Sequence, residues 1–113
     1  MHVWAERSFM KCATEEDLSH DLLCKAAREA FSGQVDGDLG GYIFKKRIAR
    51  SGAGKSGGYR TIIGFRKTRD DRIFFLYGFP KNARPNITAR ERAALSMNAK
   101  ALIDATDAQI AAL

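Results

Sequence analysis

Arg72-Ile73-Phe74-Phe75-Leu76-Tyr77-Gly78-Phe79 carries apolar side chains at five consecutive positions, 73 to 77, and so on both faces of any strand it forms. Such a strand belongs inside a sheet that is covered on each side. Upstream, residues 59–66 alternate: Tyr59, Thr61, Ile63 and Phe65 point one way, Arg60, Ile62, Gly64 and Arg66 the other. The charged turn Lys67-Thr68-Arg69-Asp70-Asp71 joins the two as antiparallel neighbours. Residues 42–48 give a further strand, with Tyr42, Phe44, Lys46 and Ile48 opposed to Ile43, Lys45 and Arg47. Four glycines in residues 50–58 make the connection between them, and residues 34–41 read as a glycine-rich loop.

Helices flank these strands. Thr14-Glu15-Glu16-Asp17 has the form of a cap followed by first-turn acids, and Leu18, Leu22, Ala26 and Ala30 continue at steps of four. This predicts a helix of about 17 residues that stops at Gly33. A weaker helical signal covers residues 8–12. Pro80 and Pro85 bracket a loop, after which Thr88-Ala89-Arg90-Glu91 is a capping box opening a helix with Ala93, Met97 and Ala101 as its apolar stripe. Thr106-Asp107-Ala108-Gln109 repeats the box and predicts a short last helix. The expectation is one α+β domain over residues 1–113. It consists of a small, mainly antiparallel sheet of three to four strands, an N-terminal helix or helix pair, and a C-terminal helix.

At 113 residues and 45% apolar composition, the chain has the material for a core, which excludes disorder for most of its length. No apolar run approaches the roughly 20 residues of a membrane span. The first seven residues lack the order of a signal peptide, and Cys12 and Cys24 read as reduced thiols, so a cytoplasmic protein is expected. The net charge of +6 is unevenly placed. Residues 1–44 hold eight acids and four bases, residues 45–84 hold twelve bases and two acids, and residues 85–113 hold three of each. The middle third therefore carries a field that concentrates polyanions, which points to nucleic acid.

Gly52-Ala53-Gly54-Lys55-Ser56 imitates a phosphate-binding loop. Ala49 stands where that motif needs its first glycine, and Gly57-Gly58-Tyr59 leads into a strand rather than a helix, so nucleotide hydrolysis is rejected. His2 and His20 are far apart and the two cysteines lack a second pair, which argues against a metal or any cofactor. What remains is Lys45, Lys46, Arg47, Lys55, Tyr59, Arg60, Tyr77, Lys81 and Arg84. Lys45 and Arg47 share a strand face, and Arg60 lies on the neighbouring strand. Cations converging on one face tolerate each other when a polyanion relieves their repulsion. Such a site can cleave RNA through attack of the ribose 2′-hydroxyl on the adjacent phosphate. Arginine forks stabilise the charge that develops. A lysine crowded by arginines is pulled toward the range a general base needs. A tyrosine orients the hydroxyl or stacks on a base.

Four segments together resemble the RelE/HigB group of bacterial toxin–antitoxin toxins. They are Gly33-Gln34-Val35-Asp36-Gly37-Asp38-Leu39-Gly40-Gly41, Phe44-Lys45-Lys46-Arg47-Ile48-Ala49, Gly54-Lys55-Ser56-Gly57-Gly58-Tyr59-Arg60 and Tyr77-Gly78-Phe79-Pro80-Lys81. The likeness spans approximately residues 9–105. It implies a small α+β toxin acting as an endoribonuclease on mRNA in the ribosomal A site, held inactive by a cognate antitoxin that is often a helix-turn-helix protein in this branch. Carried over by position, Arg60 matches the family's phosphate-contacting arginine, Lys45 and Arg47 match basic first-strand positions, and Lys81 matches a basic residue after the third strand. The expected site has Arg60 stabilising the transition state with Lys45, Lys55 or Lys81 as proton handler, and Lys46, Arg47, Tyr59, Tyr77 and Arg84 as candidate substrate contacts. The chain departs from some members in having no histidine in its last third and no tyrosine after Tyr77. Two rival readings are a topoisomerase poison of the related ParE branch and a basic nucleic-acid-binding module without catalysis.

Overall fold

The computed structural model describes residues 2–15, 18–48, 58–66, 72–80 and 86–112. Its centre is β4 (Tyr59–Gly64) flanked by β5 (Arg72–Pro80) and β3 (Ile43–Ile48), both antiparallel to it. Two more strands complete a five-stranded sheet in the order β1-β5-β4-β3-β2. β1 (His2–Ala5) runs parallel to β5, and β2 (Gly37–Gly40) forms a hairpin with β3. The expected three to four strands are thus five. β1 has only four residues and β2 reads GDLG, so neither offers an apolar alternation to detect.

Two helical layers cover the sheet. α1 (Arg7–Glu15) and α2 (His20–Phe31) pack Phe9, Ala13, Leu23, Ala26, Ala27 and Ala30 onto one face, against Ile48, Tyr59, Ile63, Phe65, Ile73 and Phe75. α3 (Ala89–Asp104) and α4 (Asp107–Ala111) lay Ala99, Ile103 and Ile110 onto the other, against Ile43, Ile62, Phe74 and Leu76. The apolar run from Ile73 to Leu76 therefore contributes to both cores. That is why it is apolar throughout.

The expected long helix from Thr14 is a helix pair. Thr14 ends α1, its hydroxyl donating to Met10 O, and Ser19 is the residue that caps α2 by accepting from Leu22 N. The capping boxes at Thr88 and Thr106 are both formed, each with its reciprocal pair of bonds. The stripe assigned to α3 needs correction, because Ala93, Met97 and Ala101 face solvent and Met97 is 74% exposed. Leu95, Ala99, Leu102 and Ile103 turn inward instead. With alanine at five of sixteen positions of α3, the period alone leaves the buried face undetermined.

One irregularity matters for function. Ile63 pairs with Phe75 and Ile62 with Tyr77, so Leu76 is an extra residue in β5. This bulge shifts the alternation. Phe74 and Leu76 face α3, and after the bulge Tyr77 and Phe79 face the same way, opposite Ile62 and Arg60.

Candidate nucleic-acid interface

Beyond the end of α3, the sheet face is polar. The strand register places Arg47 of β3 directly across from Arg60 of β4, which in turn is across from Phe79 of β5. One row along, Lys45 stands across from Ile62 and Ile62 across from Tyr77. Three cations and two aromatic rings thus share one face of three adjacent strands. Like charges directly opposite each other in a sheet are unfavourable, so the Arg47–Arg60 pair works against stability.

A cleft of about 200 Å³ opens here, lined by Asp36, Lys45, Lys46, Arg47 and Arg60. Arg60 is half-buried, and its Nε is buried with no hydrogen-bond partner. A buried donor on a cation is costly to leave unmade. Arg47 is positioned from its backbone and its tip. Its N–H donates to Asp36 Oδ2 at 2.7 Å, and its guanidinium lies over Gly58, where a Cβ would stand 3.0 Å from Arg47 Nε. That contact explains the glycine two residues before Arg60. Lys45 folds across Gly37, its Cε 2.9 Å from where a Cβ there would stand, and Nζ donates to Asn86 Oδ1 at 3.3 Å. The rings of Tyr77 and Phe79 stand 5.7 Å apart and tilted, with Tyr77 half-buried and Phe79 buried.

Not every expected site residue is here. Lys46 points to the opposite face, where Nζ donates to Gln34 O at 2.9 Å and pairs with Glu29 of α2 at 3.2 Å. It braces α2 against the sheet while still contributing to the lining of the cleft. Tyr59 also faces away from the cleft. It is fully buried on the α1 face, and its ring lies against Gly78 and Phe9, so closely that a Cβ at Gly78 would come within 2.6 Å of it. Strand alternation puts both on the wrong side from Arg60. Lys55, Lys81 and Arg84, with the Gly52–Ser56 imitation of a phosphate loop, lie outside the described residues. Asp36 and Asn86 were not expected at the cleft. Asp36-Gly37 at a strand entrance is the signal for the first, since aspartate there bonds backbone N–H groups. Nothing in the sequence marks the second.

A larger groove of about 450 Å³ beside β1 is lined by Trp4, Phe74, Leu102 and Ile110 among others, a mainly apolar set unsuited to holding a polyanion. Among the described residues no three His, Cys, Asp or Glu side chains are grouped to hold a metal ion, and no helix is long and apolar enough to cross a membrane.

A five-stranded, mostly antiparallel sheet between helix layers, with an arginine-lined cleft at one end, defines a small α+β protein. The family model for the RelE toxin of the RelE/RelB toxin–antitoxin system matches residues 1–113, and the chain belongs to that family. It is accordingly the toxin half of a toxin–antitoxin pair, with an antitoxin as its partner. Comparison with curated proteins gives no match.

Proposed function

We propose that this toxin is a metal-independent mRNA endonuclease that cuts in the ribosomal A site, acting in the cytoplasm and neutralised by a cognate antitoxin, with residues 1–113 working as one RelE-like unit. The observation that carries the reading is the Arg47–Arg60 pair, with the buried Arg60 Nε lacking an acceptor. A phosphodiester entering the cleft accepts from both guanidinium groups. As the 2′-oxygen adds to phosphorus and its proton passes to a base, the second negative charge of the phosphorane strengthens those bonds, which is where transition-state stabilisation arises. The P–O5′ bond then breaks, giving a 2′,3′-cyclic phosphate and a 5′-oxygen that takes up a proton to leave as the hydroxyl. Lys45 lies on the same face of the sheet as this pair and is the proton handler favoured here, with Lys55 and Lys81 as further members of the set. Tyr77, brought to this face by the bulge, offers a ring to an adjacent base. Arg84 extends the phosphate contacts, and a helix-turn-helix protein fits the antitoxin role.

The test is induced expression followed by mapping of mRNA 5′ ends, repeated with purified protein and translating ribosomes. Cuts within translated codons, abolished in Arg60→Ala, are expected. Chromosome breaks with intact mRNA identify a topoisomerase poison instead, and nucleic-acid binding with neither outcome identifies a non-catalytic module.

A further inference from the structure

The hairpin between β2 and β3 holds an aromatic side chain in a conformation that aromatic residues avoid. Gly41 and Tyr42 are its two central residues, with φ of 59° and 66°. Two positive φ angles are those of a type I′ turn, whose second position favours glycine. Tyr42 is the one non-glycine residue with positive φ among those described. The turn is nevertheless firmly held. Gly40 N donates to Asp38 Oδ1 at 2.9 Å, Phe65 N to Tyr42 O at 3.1 Å, and the Ser96 hydroxyl of α3 to Gly41 O at 3.0 Å. A Cβ at Gly41 would fall 1.9 Å from that hydroxyl, so the turn and α3 are fitted closely.

What this arrangement presents is a ring that is 40% exposed, with the Arg66 guanidinium 5.8 Å from its centroid. Arg66 Nε is also buried without an acceptor, and the Asp104 carboxylate stands 3.8 Å from its terminal nitrogen. Ser96 fixes which side of α3 faces the hairpin. Arg92 and Lys100, one turn before and one turn after it, lie in the same column. Both are exposed and have no ion pair among the described residues. An exposed ring backed by a guanidinium, with unpaired cations alongside, is the chemistry that stacks a nucleobase and neutralises its phosphates.

We propose that Tyr42, with Arg66, Arg92 and Lys100, forms a second contact for single-stranded RNA, taking a base of the same strand whose reactive phosphate enters the Arg47–Arg60 cleft. The inference rests on the reading of that cleft as an RNA site. Five residues of extended chain separate Tyr42 from Arg47, roughly 16 Å, a distance a few nucleotides cover. The route follows the flank of α3 past Lys45.

The test uses two uncleavable 2′-O-methyl RNA probes, a trinucleotide and a longer single strand, with affinity read by anisotropy or competition. Glycine adopts positive φ without strain, so Tyr42→Gly removes the ring while keeping or raising the melting temperature. It is expected to weaken binding of the long probe by about 5- to 100-fold and to leave the trinucleotide unchanged. Tyr42→Phe retains the tight binding. Arg60→Ala weakens both probes. If Tyr42→Gly leaves the long probe unaffected, or weakens both probes alike, the second contact is overturned. If Arg60→Ala binds both probes as the parent does, the cleft reading itself fails.

Discussion

Two arginines on the same face of the sheet, near opposite ends of α3, meet opposite conditions. Arg72 of β5 is 7% exposed and satisfied, donating to Leu102 O, to Ala105 O at 2.6 Å and to the Asp107 carboxylate. It closes the C-terminal end of α3, where carbonyls lack intrahelical partners and the dipole favours a cation. Arg60 of β4 faces another arginine, and its buried Nε has no acceptor. The sequence counts both equally in the basic middle third. The fold uses one as a structural tie and leaves the other short of a partner. A charge held at a stability cost is better explained by a ligand than by packing.

Substitutions separate the two. The largest effect is expected from Arg60→Ala, which lowers mRNA cleavage by about 10²- to 10³-fold, as loss of a transition-state donor does. Its chemical-denaturation stability stays within about 0.5 kcal/mol of the parent or rises. A large loss of stability instead would make Arg60 a second structural tie. Arg72→Ala reverses the pattern. It leaves the Ala105 carbonyl without its side-chain donor, while Leu102 O keeps the Ala105 N–H, and is expected to cost about 2–4 kcal/mol, seen as a fall in melting temperature of roughly 10 °C. Cleavage per folded molecule is unchanged in that variant at low temperature.

The neighbouring lysines sharpen the same contrast on one strand. Lys46→Met, on the α2 face, loses the bonds to Gln34 O and Glu29 and costs about 1–2 kcal/mol without affecting cleavage. Lys45→Met is expected to preserve stability and reduce cleavage, measured on the same ribosome assay. The smallest effect concerns the arginine pair itself. Arg60→Gln removes a cross-strand repulsion of about 0.2–1 kcal/mol at low salt, and near 1 M salt the stability difference from the parent vanishes. A difference that persists in high salt would show that packing, not charge, distinguishes the two side chains.

The three long strands, the N-terminal helical region and both capping boxes were legible because each rests on local rules: two-residue alternation, a four-residue apolar step, or a threonine three residues before a carboxylate or amide. β1 and β2 were not. His2–Ala5 is too short to show a period, and Gly37–Gly40 becomes a strand by pairing with β3 rather than by its own preference. For the site, the opposition of Lys45 and Arg47 to Lys46, and of Arg60 to Tyr59, follows from alternation already visible in the chain. The arrival of Tyr77 beside Arg60 does not, since it depends on the extra residue at Leu76. Nor does the strained turn at Tyr42, which α3 secures from 54 positions further along through Ser96.

From the sequence alone come an α+β protein, a strongly basic middle third and the alternation that sorts its cations into two sets. The tertiary structure alone decides which set is covered by a helix, which arginine is paired, and where the bulge turns an aromatic ring. Local patterns are fixed by dihedral geometry and side-chain size over a few residues. Charge compensation depends on groups far apart in the chain, such as Arg72 with Asp107, and becomes real when the layers close around them.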